Sequence, residues 1–255
     1  MTEGTSAPRS RAVPVTVVVP TYRRPEAVER TLHALLDVDY PSERYEIIVV
    51  DDGSKDATEA AVQRVIDGRA TGERVRYLAQ DNSGAATARN RGARAAQGDV
   101  LVFVDDDILV APDHVARHLA LLADNRLALT NGHWEFTPEV LAVLRTTPFG
   151  RFRIEVEEWV KDTLPKQAVE NGLVEPSAAT ACNLGIWRDF FWEVGGFDES
   201  FPVAGYEDQD FSHRAVAAGA RILYDQSIRL LHNDQRVTLE QFCARQRQGN
   251  TKFAG

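Results

Sequence analysis

The sequence predicts an α/β fold in which a mostly parallel central sheet is flanked by helices. Apolar, β-branched runs alternate with helix-like stretches through the first half of the chain, which implies right-handed crossovers between parallel strands. Several of these runs end in polar clusters, and ligands of open α/β sheets bind at the carboxyl ends of strands. With 255 residues, of which 44% are hydrophobic, the chain is long enough to bury a substantial core.

The first half of the chain supplies the elements in order. Residues 13–20 form a β-branched run that is stopped by proline, which predicts a buried strand. Pro25 suits the first turn of the helix that follows, and apolar residues recur at helical spacing as far as Leu36. The remaining predicted elements are a strand in YEIIVVDDGS, a helix at 56–68, a strand at 75–80, a helix in AATARNRGARAAQ, a strand in DVLVFVDDD and a helix at 112–123.

The second half is less regular. Residues 139–170 have a helical pattern, with Pro148, Gly150 and Pro165 as expected breaks. The segments TACNLGIWRDFFWEVGGFDESF, GYEDQDFSHRAVAAGARILYD and SIRLLHND come next, and we expect them to complete the sheet. At the other end, residues 1–12 are rich in Ser, Pro, Thr and Arg, which predicts a disordered tail.

Composition excludes several functional classes. The net charge of −9 argues against a general nucleic-acid binder, since phosphate contacts need clustered basic groups. Cys182 and Cys243 form no CxxC pair, which disfavours a zinc or dithiol site and favours free thiols in a reducing cytosol. The N-terminus lacks the apolar region of a secretory signal, and no apolar run reaches the ~20 residues that span a bilayer. We therefore expect a soluble cytoplasmic protein, with peripheral membrane association if its acceptor is lipid-linked.

The acidic run VDDD at residues 104–107 is the strongest motif. Asp105 and Asp107 are two residues apart, so an extended backbone would point both side chains the same way. Such a pair can bind a hard divalent cation, with water and phosphate oxygens filling the remaining positions. The alternative is a solvated acidic turn, but the run follows a buried strand with no basic residue between them, which favours a metal site.

Two further motifs follow strands of the first half. In VVDDGS, an aspartate could accept the N3–H of a uracil-like base, or the motif could simply cap a helix beside a glycine turn. In NSGAATARNRG, Gly84 opens a helix and allows close approach by a phosphate or ribose. Arg89 on that helix could face the ligand or could be an ordinary solvated residue.

Three features of the second half have both structural and functional interpretations. Acids in GYEDQDF complement a helix dipole, whereas one of them, aimed into a cleft, would be a general base. His232 follows an apolar run, where it is a structural residue or closes a metal site begun by Asp107. The aromatic group around Trp187 suits a core, although one exposed ring could stack on a sugar.

The order of these motifs resembles the family 2 glycosyltransferases of GT-A fold. PTYRR, VVDDGS, NSGAATARNRG, VFVDDD, GGFDE and GYEDQDF occur in sequence, and the resemblance covers nearly all of 13–235. It implies inverting, metal-assisted transfer from a nucleoside diphosphate sugar, with UDP the commonest nucleotide and Mn²⁺ or Mg²⁺ the ion. It also implies one domain, with a nucleotide-sugar-binding half at 13–130 and an acceptor-binding, catalytic-base half at 131–255. The acceptor would be a carbohydrate, lipid-linked or small-molecule hydroxyl.

The resemblance assigns roles residue by residue. Those implied for nucleotide binding are Pro20, Thr21, Tyr22, Arg24, Asp52, Gly84, Arg89, Asp105 and Asp106, with Asp52 reading the base. Asp107, in a run similar to the family's DxD motif, and His232 would ligate the metal. Asp208 matches the second acid of the family's ED motif, the catalytic base, while Glu207 and Trp187 are expected on the acceptor side.

One departure from the family and two rival functions complete the prediction. Processive synthases carry QxxRW and membrane helices, whereas QFCARQRQGN has no tryptophan, which indicates a non-processive enzyme. We also expect a C-terminal lid or acceptor element to be missing after TKFAG. A sugar-1-phosphate nucleotidyltransferase would show a glycine-rich loop where this chain has PTYRRPE. A catalytically inactive nucleotide-binding module would need neither the DDD nor the EDQD cluster.

Overall fold

A computed structural model of the protein describes residues 12–163, 166–168, 174–176, 178–201, 205–234 and 237–250. The strands in this part of the chain are β1 (Val15–Thr21), β2 (Tyr45–Asp51), β3 (Val75–Ala79), β4 (Val100–Val104), β5 (Ile108–Val110), β6 (Ala128–Phe136), β7 (Lys166–Ala168), β8 (Val174–Pro176), β9 (Asn183–Trp187) and β10 (Arg221–His232). The α-helices are α1 (Pro25–Leu36), α2 (Thr58–Gly68), α3 (Ala85–Ala95), α4 (His114–Leu122), α5 (Pro138–Leu144), α6 (Pro148–Thr163), α7 (Arg188–Glu193), α8 (Glu207–Ala217) and α9 (Leu239–Asn250).

The strands form one sheet in the order β3-β2-β1-β4-β9-β6-β10-β8-β7, and β5 pairs with β10. β3, β2, β1 and β4 are mutually parallel neighbours, and β6 runs parallel to β10. β9 lies antiparallel between β4 and β6. The short strands β5, β7 and β8, which the sequence did not predict, make antiparallel pairs on the side of the sheet opposite β3. The α/β fold with a mostly parallel centre is therefore confirmed.

The central parallel strands β1 and β4 are buried on both faces. Every residue of β1 and β4 is buried, which explains why both strands are continuous apolar runs. From α1, the predicted residues Val28, Leu32 and Leu35 enter this core. On α3, a Cβ added at Gly92 would lie 2.4 Å from Cγ1 of Val18, so glycine allows this helix to pack closely on β1.

The expected interruptions at 139–170 are partly wrong. Pro148 begins α6, where a proline lacking its N–H suits the first turn. Gly150 lies inside α6 and does not break it: a Cβ there would lie 1.9 Å from the carbonyl oxygen of Leu144, so the α5–α6 corner requires glycine. Pro165 and residues 1–11 of the expected tail lie outside the described residues.

The topology places the polar motifs at one edge of the sheet, where the strands β1, β2, β4 and β10 end. β1, β2 and β4 end at Thr21, Asp51 and Val104, directly before or within the polar motifs. β10 ends at His232, which pairs with Ile108 of β5, just after the acidic run. No helix in the described ranges is long and apolar enough to cross a bilayer.

Candidate active site

The acidic run forms a turn that β1 and α1 hold in place. Asp106 is buried, and the hydroxyl of Thr21 donates to its Oδ2 at 2.8 Å. The hydroxyl of Thr31 donates to the backbone carbonyl of Asp106, also at 2.8 Å. Ile108 closes the turn by donating its backbone N–H to the carbonyl of Asp105 at 3.3 Å. The acids are thus positioned by the core of the domain and do not sit on a free loop.

Arg24 joins the two buried carboxylates of this turn. Its Nη1 donates to Oδ1 of Asp106 at 2.9 Å and to Oδ2 of Asp107 at 2.6 Å. Burial alone would lower the pKa of Arg24, but the two carboxylates outweigh burial and raise that pKa above its usual value. The extended backbone expected for Asp105 and Asp107 was wrong, because residues 105–107 leave the strand and turn. Adjacent Asp106 and Asp107 therefore share one guanidinium.

Asp107 also faces His232. Nε2 of His232 lies 3.2 Å from Oδ1 of Asp107, and the next residue, Asn233, donates its backbone N–H to the carbonyl of Asp107 at 2.8 Å. Burial favours the protonated acid, but His232 and Arg24 hold the pKa of Asp107 below its usual range. Asp107 in turn raises the pKa of His232 against the effect of burial. The structure therefore brings the two predicted metal ligands together.

These two side chains fit a hard divalent ion only as part of a larger set. A carboxylate oxygen and an imidazole nitrogen are both suitable ligands for Mn²⁺, and the carboxylate suits Mg²⁺. Among the described residues, no group of three or more His, Cys, Asp or Glu side chains is arranged to hold a metal ion. Asp107 and His232 would thus leave the remaining coordination positions to phosphate oxygens and water.

Arg89 is a buried link between α3 and α8. Its guanidinium donates to Oδ1 of Asp105 at 2.7 Å and to Oε1 of Glu207 at 2.8 Å. The other oxygen of Glu207 accepts the backbone N–H of Gly205 at 2.5 Å. The carboxylate of Glu207 is therefore buried and bonded at both oxygens within the protein, and its place on the acceptor side stays a prediction. The guanidinium of Arg89 is bonded to two acids of the protein, and its predicted role in nucleotide binding stays a prediction.

Asp208 lies in the first turn of α8, beside Glu207. Its Oδ2 accepts the backbone N–H of Ala181 at 3.4 Å, and its Oδ1 accepts that of Gln209 at 2.9 Å. Burial raises the pKa of Asp208, and the charge of Glu207 adds to the rise, while Arg89 opposes it. A partly buried carboxyl with a raised pKa is better suited to accept a proton near neutral pH than an ordinary aspartate is.

Cys182 lies among the acids of the site, which the sequence did not indicate. Burial raises the pKa of its thiol to about 12, and the negative charges of Asp105, Asp208 and Asp107 contribute to that rise. The ion pairs of Arg89 with Asp105 and with Glu207 join the acidic turn to the start of α8. Cys182 directly precedes the strand β9, but no motif in the sequence singled it out.

The carboxylate of Asp52 organises the loop before α3. Its Oδ1 accepts from the side chain of Gln80 and the backbone N–H of Ser83, both at 2.8 Å. Its Oδ2 accepts the backbone N–H of Gly84 at 2.9 Å and the side-chain amide of Asn82 at 3.2 Å. Four donors fill the acceptor positions of one carboxylate. To read a base, Asp52 would have to exchange one of these bonds, and that role stays a prediction.

The PTYRR motif is divided between strand and loop. Pro20 is buried within β1 and pairs with Val50, in agreement with the strand predicted at 13–20, and its role in nucleotide binding stays a prediction. Tyr22 is 40% exposed at the end of that strand, and the guanidinium of Arg23 lies 5.0 Å from the centre of its ring. Tyr22 is therefore the member of the motif with an accessible aromatic face.

Trp187 lies away from this edge, contrary to expectation. It pairs with Val100 at the start of β4, at the opposite end of that strand from the acids, because β9 runs antiparallel. It is buried, and its indole nitrogen donates to the carbonyl of Leu122 at 3.1 Å. The tryptophan near the acids is Trp134, whose ring centre lies 5.4 Å from that of His232.

Comparison with known proteins gives matches over most of the chain. The family described as Glycosyl transferase family 2 matches residues 16–194. Validoxylamine A glucosyltransferase of Streptomyces hygroscopicus subsp. limoneus is 32% identical over 226 residues, which are 80% of this chain and 48% of that protein. The chain spans about half the length of the curated relatives it matches.

Two solved structures show the same fold at low identity. The mannosyltransferase PcManGT from Pyrobaculum calidifontis in complex with GDP-Man and Mn²⁺ has a TM-score of 0.70 and 21% identity, covering 94% of this chain and 62% of that one. S. aureus TarS 1-349 in complex with UDP-GlcNAc has a TM-score of 0.62 and 19% identity, covering 87% of this chain and 59% of that one. These similarities establish the GT-A type of architecture.

Proposed function

Since this chain belongs to glycosyl transferase family 2, we propose that it moves a sugar from a nucleoside diphosphate sugar to a hydroxyl acceptor. The observation that carries the proposal is the double contact of Arg89, which bonds Asp105 of the acidic turn and Glu207 beside Asp208. This contact joins the turn that carries Asp107, the partner of His232, to the start of the helix that carries Asp208. A leaving diphosphate needs a cation, and an attacking hydroxyl needs a base. Asp107 and His232 are proposed as ligands for such a cation, and Asp208 as the base.

The donor is proposed to bind to the half at 13–130, and the acceptor to the half at 131–255. Tyr22 offers its exposed ring to the base or ribose, while Asp52 shapes the loop that ends at Gly84. A UDP-linked donor is proposed, and the solved complex of TarS 1-349 with UDP-GlcNAc supports it. GDP is the second nucleotide to test, because the solved structure of PcManGT contains GDP-Man.

Asp107 and His232 are proposed to hold Mn²⁺ or Mg²⁺. The fit rests on their 3.2 Å separation and on their chemistry, because an ionised carboxylate and a neutral imidazole can ligate one ion from neighbouring positions. A bound ion would stabilise the negative charge that develops on the diphosphate without any proton transfer. The PcManGT complex contains Mn²⁺, which supports the assignment.

Asp208 is proposed as the general base of a single displacement. The acceptor oxygen attacks C1 of the sugar from the face opposite the diphosphate, and the bond between C1 and the phosphate oxygen breaks. The electron pair of that bond leaves with the diphosphate, while the acceptor proton passes to the carboxylate of Asp208. Arg89 and Glu207 keep α8 in position during this step through their buried ion pair. The sugar is therefore transferred with inversion at C1.

A donor panel tests the proposal. The protein is incubated with UDP- and GDP-sugars, with Mn²⁺ or with EDTA, and the released nucleoside diphosphate is quantified. We expect release from one donor with Mn²⁺ and none with EDTA, and NMR of the product should show the inverted anomer. Pyrophosphate formed from a sugar 1-phosphate and a nucleoside triphosphate would instead indicate a nucleotidyltransferase. Nucleotide binding with no turnover of any donor would indicate an inactive module.

A further inference from the structure

The three aspartates of the acidic turn already have cationic partners. Arg89 pairs with Asp105, and Arg24 pairs with both Asp106 and Asp107. The imidazole of His232 occupies the remaining oxygen of Asp107. A divalent cation would therefore add positive charge to carboxylates that are already neutralised. One of their cationic side-chain partners must release its carboxylate when the cation binds.

Arg24 is the partner that can leave at the lowest cost. Its side chain is 31% exposed, whereas that of Arg89 is only 5% exposed and is bonded to two acids. Asp106 has other support, because Thr21 and the core of the domain hold it. Arg24 can therefore release Asp107 and still keep its bond to Asp106.

We propose that Arg24 acts as an internal counter-ion that holds Asp107 until a divalent cation binds, and then turns to the diphosphate of the donor. The inference rests on the proposed function, and it assigns to Arg24 a switch between two anionic partners. In the first state, Nη1 of Arg24 bonds Oδ2 of Asp107 at 2.6 Å. In the second state, the guanidinium pivots on Asp106 and presents its free nitrogens to phosphate oxygens, which a planar fork of donors suits well.

The surroundings of Arg24 leave room for this movement. A cavity of about 100 Å³ lies beside it, lined by Arg23, Arg24, Glu26, Ala27, Asp107 and Asn233. Arg24 also stands directly before α1, whose N-terminal end carries partial positive charge and attracts anions. Glu26 is the opposing carboxylate in the lining, but it is exposed to solvent, which screens its charge. The site therefore favours an anion once Asp107 is engaged elsewhere.

The first consequence is a gain in metal affinity when Arg24 is removed. In Arg24→Gln, Asp107 has no guanidinium to give up, so Mn²⁺ alone should bind about three- to tenfold more tightly by calorimetry without nucleotide. Arg64→Gln is the matched control, because it removes the same charge from an exposed pair with Glu29 on the α1–α2 surface. The control should bind Mn²⁺ as the parent does.

The second consequence has the opposite sign. With Mn²⁺ saturating, UDP and GDP should each bind Arg24→Gln about tenfold more weakly wherever the parent binds, because an arginine–phosphate contact is lost. Arg24→Lys keeps the charge but loses the planar fork, so it should bind Mn²⁺ nearly as the parent does and still bind the nucleotide more weakly. This variant also decides the question if Arg24→Gln does not fold.

The proposal is overturned if Arg24→Gln binds Mn²⁺ no more tightly than the parent, or if its nucleotide affinity is unchanged. It is also overturned if the parent binds no Mn²⁺. None of these titrations needs turnover. A failure of the transferase proposal would appear separately, as absence of nucleoside diphosphate release from every donor.

Discussion

Arg89 on α3 and Glu207 at the start of α8 form an ion pair of 2.8 Å in which each side chain is only 5% exposed. The two residues are 118 positions apart in the sequence, so the contact exists only in the folded domain. It fixes the first turn of α8, and with it the neighbouring Asp208. The base proposed for the reaction is thus held in place by an arginine from the first half of the chain.

This pair should be costly to break. In Glu207→Gln, Arg89 would keep Asp105 but lose a buried counter-charge, so the free energy of unfolding should fall by about 3 kcal/mol. Urea denaturation measures the change. Arg94→Gln, on the same helix as Arg89, is the control. The pair of Arg94 with Glu199 is exposed and should contribute under about 1 kcal/mol. Equal losses in the two variants would contradict the buried-pair explanation.

Asp208→Asn should lower turnover and spare donor binding. A positioned base contributes about 10²–10⁴-fold, and the amide cannot accept the acceptor proton. We expect kcat to fall by that factor, while the affinity for the nucleotide, measured by calorimetry, stays within about twofold. Transfer at the parent rate would show that another group accepts the proton.

The pH dependence of turnover gives a second measure of Asp208. Since burial and Glu207 raise its pKa, the base form is lost at a higher pH than for an ordinary aspartate, which titrates near 3.9. The rate should therefore fall as the pH drops through this raised pKa, giving an acid limb above about pH 4. An acid limb at or below the value for a free aspartate would rule out the buried carboxyl as the group observed.

Asp107→Ala should abolish the metal dependence of donor binding. The change removes the carboxylate that faces both His232 and Arg24, so the ion loses its one proposed oxygen ligand from the protein. UDP and GDP should then bind with the same affinity in Mn²⁺ and in EDTA. Asp113→Ala, which removes an exposed acid paired with Arg117, serves as the control and should retain the effect of the metal. An unchanged response to Mn²⁺ in Asp107→Ala would refute the ligand assignment.

A buried histidine predicts acid sensitivity of the fold. Burial lowers the pKa of His114 to about 4 from a reference of 6.5, and its Nε2 shares Oδ1 of Asn183 with His118. A lowered pKa in the folded state means that the stabilisation is complete above about pH 6.5 and is lost as the pH falls towards 4. The loss should reach about 3 kcal/mol, measured by urea denaturation between pH 7.5 and 4.5.

His114→Gln supplies the comparison for this pH effect. Its unfolding free energy should be lower than that of the parent at pH 7.5 but should fall less steeply on acidification, because one buried titrating group is gone. If the unfolding free energies of the two proteins fall in parallel with pH, a group other than His114 causes the acid sensitivity.

The first half of the fold was predictable because its signals are local. Proline at the start of α1 and the apolar spacing of Val28, Leu32 and Leu35 are properties of one segment each. The direction of β9 is different, because it depends on which strands flank it. Trp187 therefore looked available to a sugar, although the antiparallel pairing with Val100 carries it to the other end of the sheet.

The site was predictable in its residue types but not in its pairings. Asp107 and His232 were expected together, and their side chains lie 3.2 Å apart. The sequence does not distinguish the roles of the neighbouring acids at the start of α8. Neighbours on a helix point about 100° apart, and only packing decides which one faces inward. Glu207 faces Arg89, and Asp208 is less buried. Arg24 was expected on the nucleotide, and its bond to Asp107 depends on a tertiary contact.

The place of β9 in the sheet bears on how the chain is synthesised. β9 covers one edge of β4, whose sequence VLVFV has no charge and no proline. The roughly 80 residues between these strands take roughly 4–16 s to translate at about 5–20 residues per second. During that interval an apolar strand edge stays open on the ribosome, and such edges pair readily with other chains. Expression at lower temperature or with a holdase chaperone should therefore raise the yield of folded protein.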